Sequence, residues 1–321
     1  MKTPLLLLTS LIVFLLSCKD QQKTKENVNI EQAAIVTPKD SVPFPRELTQ
    51  FQTPDENPIF TGTGSDTWDQ KIRERGYILK EEGSYHMWYT GFNKEKELLS
   101  LGYATSLDGI SWKRHESNPV FDESWTEDIM VIKVDGTYHM FAEGKNDVAH
   151  RLTSTDRIHW TDHGSLDIRH ADGSPLSKGP YGTPTAWREN NQCYLFYERN
   201  DLGIWLATSK DLEVWTNVQD EPVITMGPEE YDKYGVALNQ IIKHKGWYYA
   251  YYHGTPFEDW SLWSTNVAAS KDLVHWKKYP QNPIMEENRS SGILVPDGDQ
   301  FRLYTMHDKV EVHFPKSPKK N

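Results

Sequence analysis

The chain has 321 residues, with 46 Asp or Glu against 35 Lys or Arg and a net charge of −11 at neutral pH. That balance argues against nucleic acid as a partner, because phosphate binding needs clustered cations and no basic run interrupts the sequence. Only two cysteines occur, Cys18 and Cys193, so no disulfide framework organises the chain. Cys193 stands among Tyr194, Leu195 and Phe196 and reads as a small buried hydrophobe.

Met1-Lys2 is followed by an apolar run from Leu5 to Leu16, broken only by Thr9 and Ser10. The run is shorter than the ~20 residues a membrane-crossing helix requires, so residues 1–17 are expected to be a signal segment. Leu15-Leu-Ser-Cys18 resembles the lipobox of bacterial lipoproteins. The resemblance implies cleavage before Cys18, lipidation of its side chain, and a lipid-anchored protein of the cell envelope. Lys19-Asp20 resembles the start of Bacteroidetes outer-membrane lipoproteins. Residues 18–45 are polar and lack aromatics before Phe44, which predicts a flexible tether. Residues 46–321 are left for a single domain, expected to be monomeric.

That domain carries one phrase four times, Ser106-x-Asp108-x-x-x-Trp112, then Ser154 to Trp160, Ser209 to Trp215 and Ser270 to Trp276. The Trp-to-Trp intervals of 48, 55 and 61 residues have the period of radial β architectures. Upstream of each copy lies a turn and an aromatic strand pattern, as in Gly83-Ser-Tyr85-His-Met-Trp88-Tyr89 and Gly136-Thr-Tyr138-His-Met-Phe141. A fifth such strand, at 298–304, has no Ser-x-Asp phrase after it. Downstream phrases recur as well, at Asn118-Pro-Val-Phe121, Pro222-Val-Ile224 and Asn282-Pro-Ile284, and an orphan copy, Asn57-Pro-Ile-Phe60, precedes the first repeat. An N-terminal segment that completes the last sheet closes a ring and leaves no open edge. The pattern therefore predicts an all-β, five-bladed β-propeller, with the four repeat tryptophans packed between blades.

Function on such a ring is expected at the mouth of the central channel, where inner strands converge. The starts of the inner strands offer Asp69, Glu74 and Arg75, then Glu127 and Asp128, Tyr181 and Thr183, Asn239 and Gln240, and Ser290 and Ser291. The ends of the second strands offer Thr90, Glu143, Glu198 with Arg199, His253, and His307 with Asp308. Acids delivered to one rim from different blades suit glycosidic bond cleavage, which needs two acidic groups in unlike surroundings. Trp68, Trp125, Trp187, Trp260 and Trp263 lie outside the repeat and are candidates for stacking on sugar rings. HExxH, CxxC and glycine-rich phosphate loops are absent, so nucleotide and redox cofactors are not expected. A hydrated cation in the channel is compatible with the fold but not demanded by the sequence.

The repeats, Gly-x-Tyr-His-Met-Trp-Tyr-Thr-Gly and the Asn-Pro-Val-Phe phrase together resemble the five-bladed β-propeller glycoside hydrolases, the group of families 43, 32, 62, 68, 117 and 130. The resemblance covers about residues 55–315. In family 43 an Asp at the start of blade 1 is the base, an Asp at the start of blade 2 tunes its neighbours, and a Glu at the start of blade 3 is the acid. Asp128, eight residues before Gly136, matches the second of these. The same count from Gly83 gives Arg75 and from Asn191 gives Thr183, so the resemblance implies a base at Asp69 or Asp66 from a shifted loop. The acid is then Glu198 or, by resemblance to family 117, a histidine, His253 or His307. Glu143, Thr183 and His307 are expected to contact sugar or tune the acids, and Arg75 to meet a carboxylate or sulfate on the substrate. The expected activity is an exo-acting glycoside hydrolase of oligosaccharides from a plant or algal polysaccharide. The alternatives are a non-catalytic glycan-binding lipoprotein, a protein-interaction scaffold, and a phosphate-dependent phosphorylase. The last needs a basic cluster, for which Arg75, Lys145 and Arg199 are the candidates.

Overall fold

The computed structural model describes residues 42–95, 97–177 and 179–317; the expected signal segment, Cys18 and most of the tether lie outside them. The packed body already includes Val42 to Pro45, which the composition assigned to the tether. The Phe44 ring lies 4.9 Å from that of Tyr279 and the Tyr249 hydroxyl donates to the Pro43 carbonyl at 2.8 Å. An aromatic residue with a ready slot is enough to end a tether early.

Five antiparallel-based sheets form the ring. Blade 2 shows the pattern: an inner strand Glu127–Val134, a second strand Thr137–Gly144, a third Val148–Ser154 and an outer strand Thr161–Ser165. Blade 3 runs from Gly182–Glu189 through Gln192–Glu198 and Gly203–Ser209 to Val214–Asn217, and blade 4 from Gly235–His244 through Trp247–Thr255 and Ser264–Ser270 to Trp276–Lys278. In blade 1 the inner strand is broken into Lys71–Ile72 and Tyr77–Glu81, both paired with Ser84–Asn93. The second strands are buried on both faces, since a neighbouring blade covers each side. This is why they read as continuous aromatic and aliphatic runs instead of alternating ones.

The repeated phrases are the joints of the ring. In the first copy, Ser106 Oγ and the Asp108 carboxylate accept the backbone N–H groups of Gly109, Ile110 and Ser111, and the other three copies repeat this turn. Three of the turns aim their Trp at the second strand of the preceding blade, while Trp112 meets Tyr85 of its own blade at 6.5 Å. Trp160 meets Trp88 at 6.1 Å, Trp215 meets Phe141 at 5.7 Å and Trp276 meets Phe196 at 6.2 Å, all edge to face. Blade 5 has no such Trp. Over the corresponding Tyr251 of blade 4 sits Leu48, from the short helix Arg46–Thr49, whose carbonyl accepts the Tyr251 hydroxyl at 2.7 Å.

Closure uses the orphan phrase. Asn118 and Asn282 each bridge the N–H and C=O of one third-strand residue, Tyr103 and Val267. Asn57 does the same to Val312 at 2.9 and 2.8 Å across the ends of the chain. Phe51–Gln52 then pairs with Pro315 and Phe314 as the outer strand of blade 5. Its other strands are Ile293–Asp297, Gln300–Met306 and Val310–Pro315.

At the centre, the Arg75 guanidinium is 0% exposed and ties four blades together. It donates to the Thr185 hydroxyl and the carbonyls of Pro184, Leu238 and Asn239 at 2.6 to 3.2 Å, and to the Asp128 carbonyl. Gln240 joins blade 4 to blade 5 through the backbone of Leu294 at 2.7 and 3.1 Å. Burial pulls the Arg75 pKa down to about 10, so the group stays charged at neutral pH. Arg75→Met strands these acceptors and is expected to lower unfolding free energy by at least about 3 kcal/mol. Urea denaturation checks this; a wild-type midpoint refutes the central role.

Candidate active site

The inner strands do not enter the channel straight. Glu74, Asp128, Thr183 and Ser291 have φ of 55°, 47°, 43° and 55°, and the ladders of blades 2, 3 and 4 shift register near their starts. A left-handed bulge re-aims a side chain, and a β-branched residue such as Thr183 adopts it only under constraint. All four residues line one cavity of about 420 Å³ at the channel mouth. The repeated bulge is thus what turns strand starts into a ring of groups facing a common space.

Seven carboxylates line that cavity, Glu74, Glu127, Asp128, Glu143, Asp147, Glu198 and Asp201, with Arg73 the one Lys or Arg side chain among the lining residues. Arg73 is committed to Glu127 and Glu74 at 3.1 and 3.0 Å, and the Trp125 indole N–H donates to Glu127 at 2.6 Å. Burial pushes the Glu127 carboxyl up to about 8 against the pull of Arg73.

The dipeptide Gly182-Thr183 holds two further carboxylates. The Gly182 N–H donates to Glu198 Oε1 at 3.0 Å and the Thr183 N–H to Glu143 Oε2 at 2.7 Å. The Asp201 N–H takes the second Glu198 oxygen at 2.6 Å. Burial raises the Glu198 pKa to about 6, but a backbone donor on each of its oxygens pulls it back toward the charged form, while Glu143 keeps Oε1 free. A Cβ on Gly182 would sit 2.2 Å from Glu143 Oε2 and 2.4 Å from Glu198 Oε1, so the two acids are neighbours across a bare backbone. Burial raises the Glu143 pKa well above the usual carboxylate range, and the charges of Asp128, Glu127 and Glu198 raise it further. Asp128 is raised by burial and by Glu74, but Arg75 and Arg73 pull it back toward ionisation. Of the two, Glu143 is the better proton holder.

His253 lines the cavity with Nδ1 engaged by Asn239 at 2.8 Å and its ring edge-on to Trp263, centroids 4.8 Å apart. Burial and the charge of Arg75 pull its pKa down to about 3, which favours a neutral ring over the protonated one the expected acid needs. His307 faces the cavity with Nδ1 3.5 Å from Glu74.

Six of the expected residues converge here, Asp128, Glu143, Thr183, Glu198, His253 and His307. Two do not. Asp69 is buried within blade 1, where it accepts Arg114 Nε at 2.9 Å, the Tyr89 hydroxyl at 3.1 Å and the Thr67 hydroxyl at 3.1 Å; it supports the blade, because the bulge at Glu74 takes the inner position. Arg75 lies within the channel and meets backbone carbonyls, not substrate. Asp147 and Asp201 escaped notice. Both follow Asn in the loops that join second and third strands, Asn146-Asp147 and Asn200-Asp201, with positive φ at all four residues. The repeated Glu143-Gly-Lys-Asn-Asp147 and Glu198-Arg-Asn-Asp201 was a legible signal for them.

The fold and its ring of acids define a five-bladed β-propeller with an acid-lined channel mouth. No protein-family model matches the chain. It is 24% identical over 217 residues to a 1,2-β-oligomannan phosphorylase of Thermoanaerobacter sp. strain X514, covering 61% of this chain and 69% of the relative. Against the β-1,2-mannobiose phosphorylase of the same organism the identity is 27% over 222 residues, covering 61% and 70%. A glycosyl hydrolase from Bacteroides ovatus superposes with a TM-score of 0.69 at 18% identity over 85% of this chain and 96% of the other, a likeness of fold.

Gly182→Ala is expected to leave the circular-dichroism spectrum intact and to lower turnover of a cleavable glycoside about a hundredfold, the scale of an ångström-sized misplacement. Unchanged turnover refutes the shared placement of Glu143 and Glu198.

Proposed function

We propose that the channel mouth cleaves a glycosidic bond by hydrolysis, with Glu143 as general acid and Asp128 as the carboxylate that activates water. The observation that carries this reading is the pairing of a buried Glu143, whose Oε1 is free, with an Asp128 that burial and Glu74 raise but that Arg75 and Arg73 pull back toward ionisation. Glu198, bonded to backbone on both oxygens, serves as the fixed charge that keeps the Glu143 proton in place. Neutral His253 presents Nε2 as a hydrogen-bond partner for sugar hydroxyls. Lining residues come from all five blades, so a chain end enters more readily than a chain middle, which favours exo action. A β-mannoside is the first substrate to test, on the strength of the curated relatives. We also propose, from the lipobox-like run ending at Cys18, that the enzyme is lipid-anchored at the cell envelope.

Phosphorolysis is the second reading, favoured by the names of the two curated relatives. Against it stands the charge of the cavity. Arg75, Lys145 and Arg199 are not among its lining residues, and the one lining Lys or Arg, Arg73, is already paired with Glu127 and Glu74, which leaves no unpaired lining Lys or Arg for a phosphate dianion. Release of free sugar from β-1,2-mannobiose in phosphate-free buffer supports hydrolysis; a sugar phosphate formed only with phosphate overturns it.

The rate is expected to fall as pH rises through the raised pKa of Glu143, because the acid loses its proton, and to fall at low pH as Asp128 takes one up. Glu143→Gln removes the alkaline limb and lowers kcat by about 10²- to 10⁴-fold. A pH–rate profile of both proteins checks this, and an unchanged alkaline limb in the variant assigns the acid elsewhere.

A further inference from the structure

Beside the carboxylates, one wall of the cavity is aromatic and runs outward. His253 lies within the mouth, the Trp263 ring is 4.8 Å from it, and the Trp260 ring is 6.2 Å further along. Trp263 is half-buried, its Cη2 3.1 Å from the point where a Gly235 Cβ would sit, with the Asp201 Cβ 3.4 Å from the same point. It therefore joins the acid ring to the rim. Trp260 is 45% exposed, and it is flanked by exposed Phe257 and Leu262.

Exposure alone is common at a surface, but this indole is held. Its Nε1 donates to the Tyr234 carbonyl at 3.2 Å, and its backbone N–H to Phe257 at 3.1 Å. Its φ is 54°, a left-handed conformation that bulky residues adopt only where the surroundings impose it. Strain of this kind persists where a side chain must be presented, as at ligand clamps. A fixed, exposed indole continuous with a polar cavity has one face free for an amphipathic ring.

We propose that Trp260 and Trp263 form a distal sugar-binding subsite that grips the part of an oligosaccharide projecting out of the cavity, an inference that rests on reading the cavity as a glycoside-cleaving site. A sugar ring offers an apolar C–H face to the indole and its hydroxyls to solvent. The half-buried Trp263 serves the residue nearer the acids, and Trp260 the next one out. The protein is then selective for chain length, with longer chains gaining a contact that a disaccharide is too short to reach.

The test is calorimetric binding and turnover of β-1,2-mannobiose, β-1,2-mannotriose and β-1,2-mannotetraose by the full-length wild type, Trp260→Ala and Trp260→Phe. Trp260→Ala is expected to weaken tetraose binding and raise its KM about fivefold to tenfold with kcat unchanged, leaving the biose unaffected. Trp260→Phe recovers most of the loss. Equal tetraose affinity in wild type and Trp260→Ala, or equal losses for biose and tetraose, overturns the subsite. Binding through Trp260 without turnover keeps the subsite and overturns the cleavage reading, and turnover indifferent to Trp260 does the reverse. No binding of any of the three to the wild type overturns the subsite for this class of sugar.

Discussion

A single buried cation organises both the ring and its chemistry. Arg75 has no exposed surface and no carboxylate bonded to its guanidinium; its charge is met by carbonyl oxygens from blades 2, 3 and 4 and by the Thr185 hydroxyl. An unpaired buried charge is expensive, and the arrangement is stable only because several dipoles converge on it. The same charge lies beneath Asp128 and Glu143, whose electrostatics it biases. Fold and site are therefore coupled through one side chain. The guanidinium that holds the blades together also keeps acids tolerable at the channel mouth.

The site is a product of repetition with local variation. The inner-strand starts of blades 1, 2, 3 and 5 and the second-strand ends of blades 2 to 5 deliver side chains to the same space, and the side chain at each position decides the chemistry. Blade 1 supplies Glu74, blade 2 Asp128 and Glu143, blade 3 Thr183 and Glu198, blade 4 His253, and blade 5 Ser291 and His307. Acids concentrate on blades 1 to 3, while the aromatic wall rises on blade 4. This asymmetry separates a carboxylate-lined side from an aromatic one. Gly182 shows how tightly the charged side is drawn, since the backbone there is the only partition between two carboxyls.

Crowding carboxyl groups raises their pKa values and stores repulsion that the rest of the fold must offset. Part of the offset is local: backbone N–H groups on Glu198, the Arg73 and Trp125 donors on Glu127, and Thr183 on Glu143. The remainder comes from the interblade tryptophans and the closure at Asn57, which resist any opening of the ring.

The architecture was legible along the chain because it rests on local, repeated signals. The Ser-x-Asp turns with their Trp, the aromatic strands and the Asn-Pro phrases each carry their own geometry, and the orphan Asn57-Pro phrase announced closure before any contact was known. Asp128, Glu143, Thr183, Glu198, His253 and His307 were found by the same reasoning, since strand ends of a ring must converge. What the chain could not disclose depends on bulges and burial. A register shift at Glu74 moved Asp69 into a blade and Arg75 into the channel, and no residue type signals that. The neutrality of His253, and the preference for Glu143 over Glu198 as proton holder, arise from burial and from charges brought together by the packing of separate strands. Local sequence determined the blades and the residues at their ends; tertiary structure alone decided which of those residues share a space, because pKa values and contacts are set by distance through space and not along the chain.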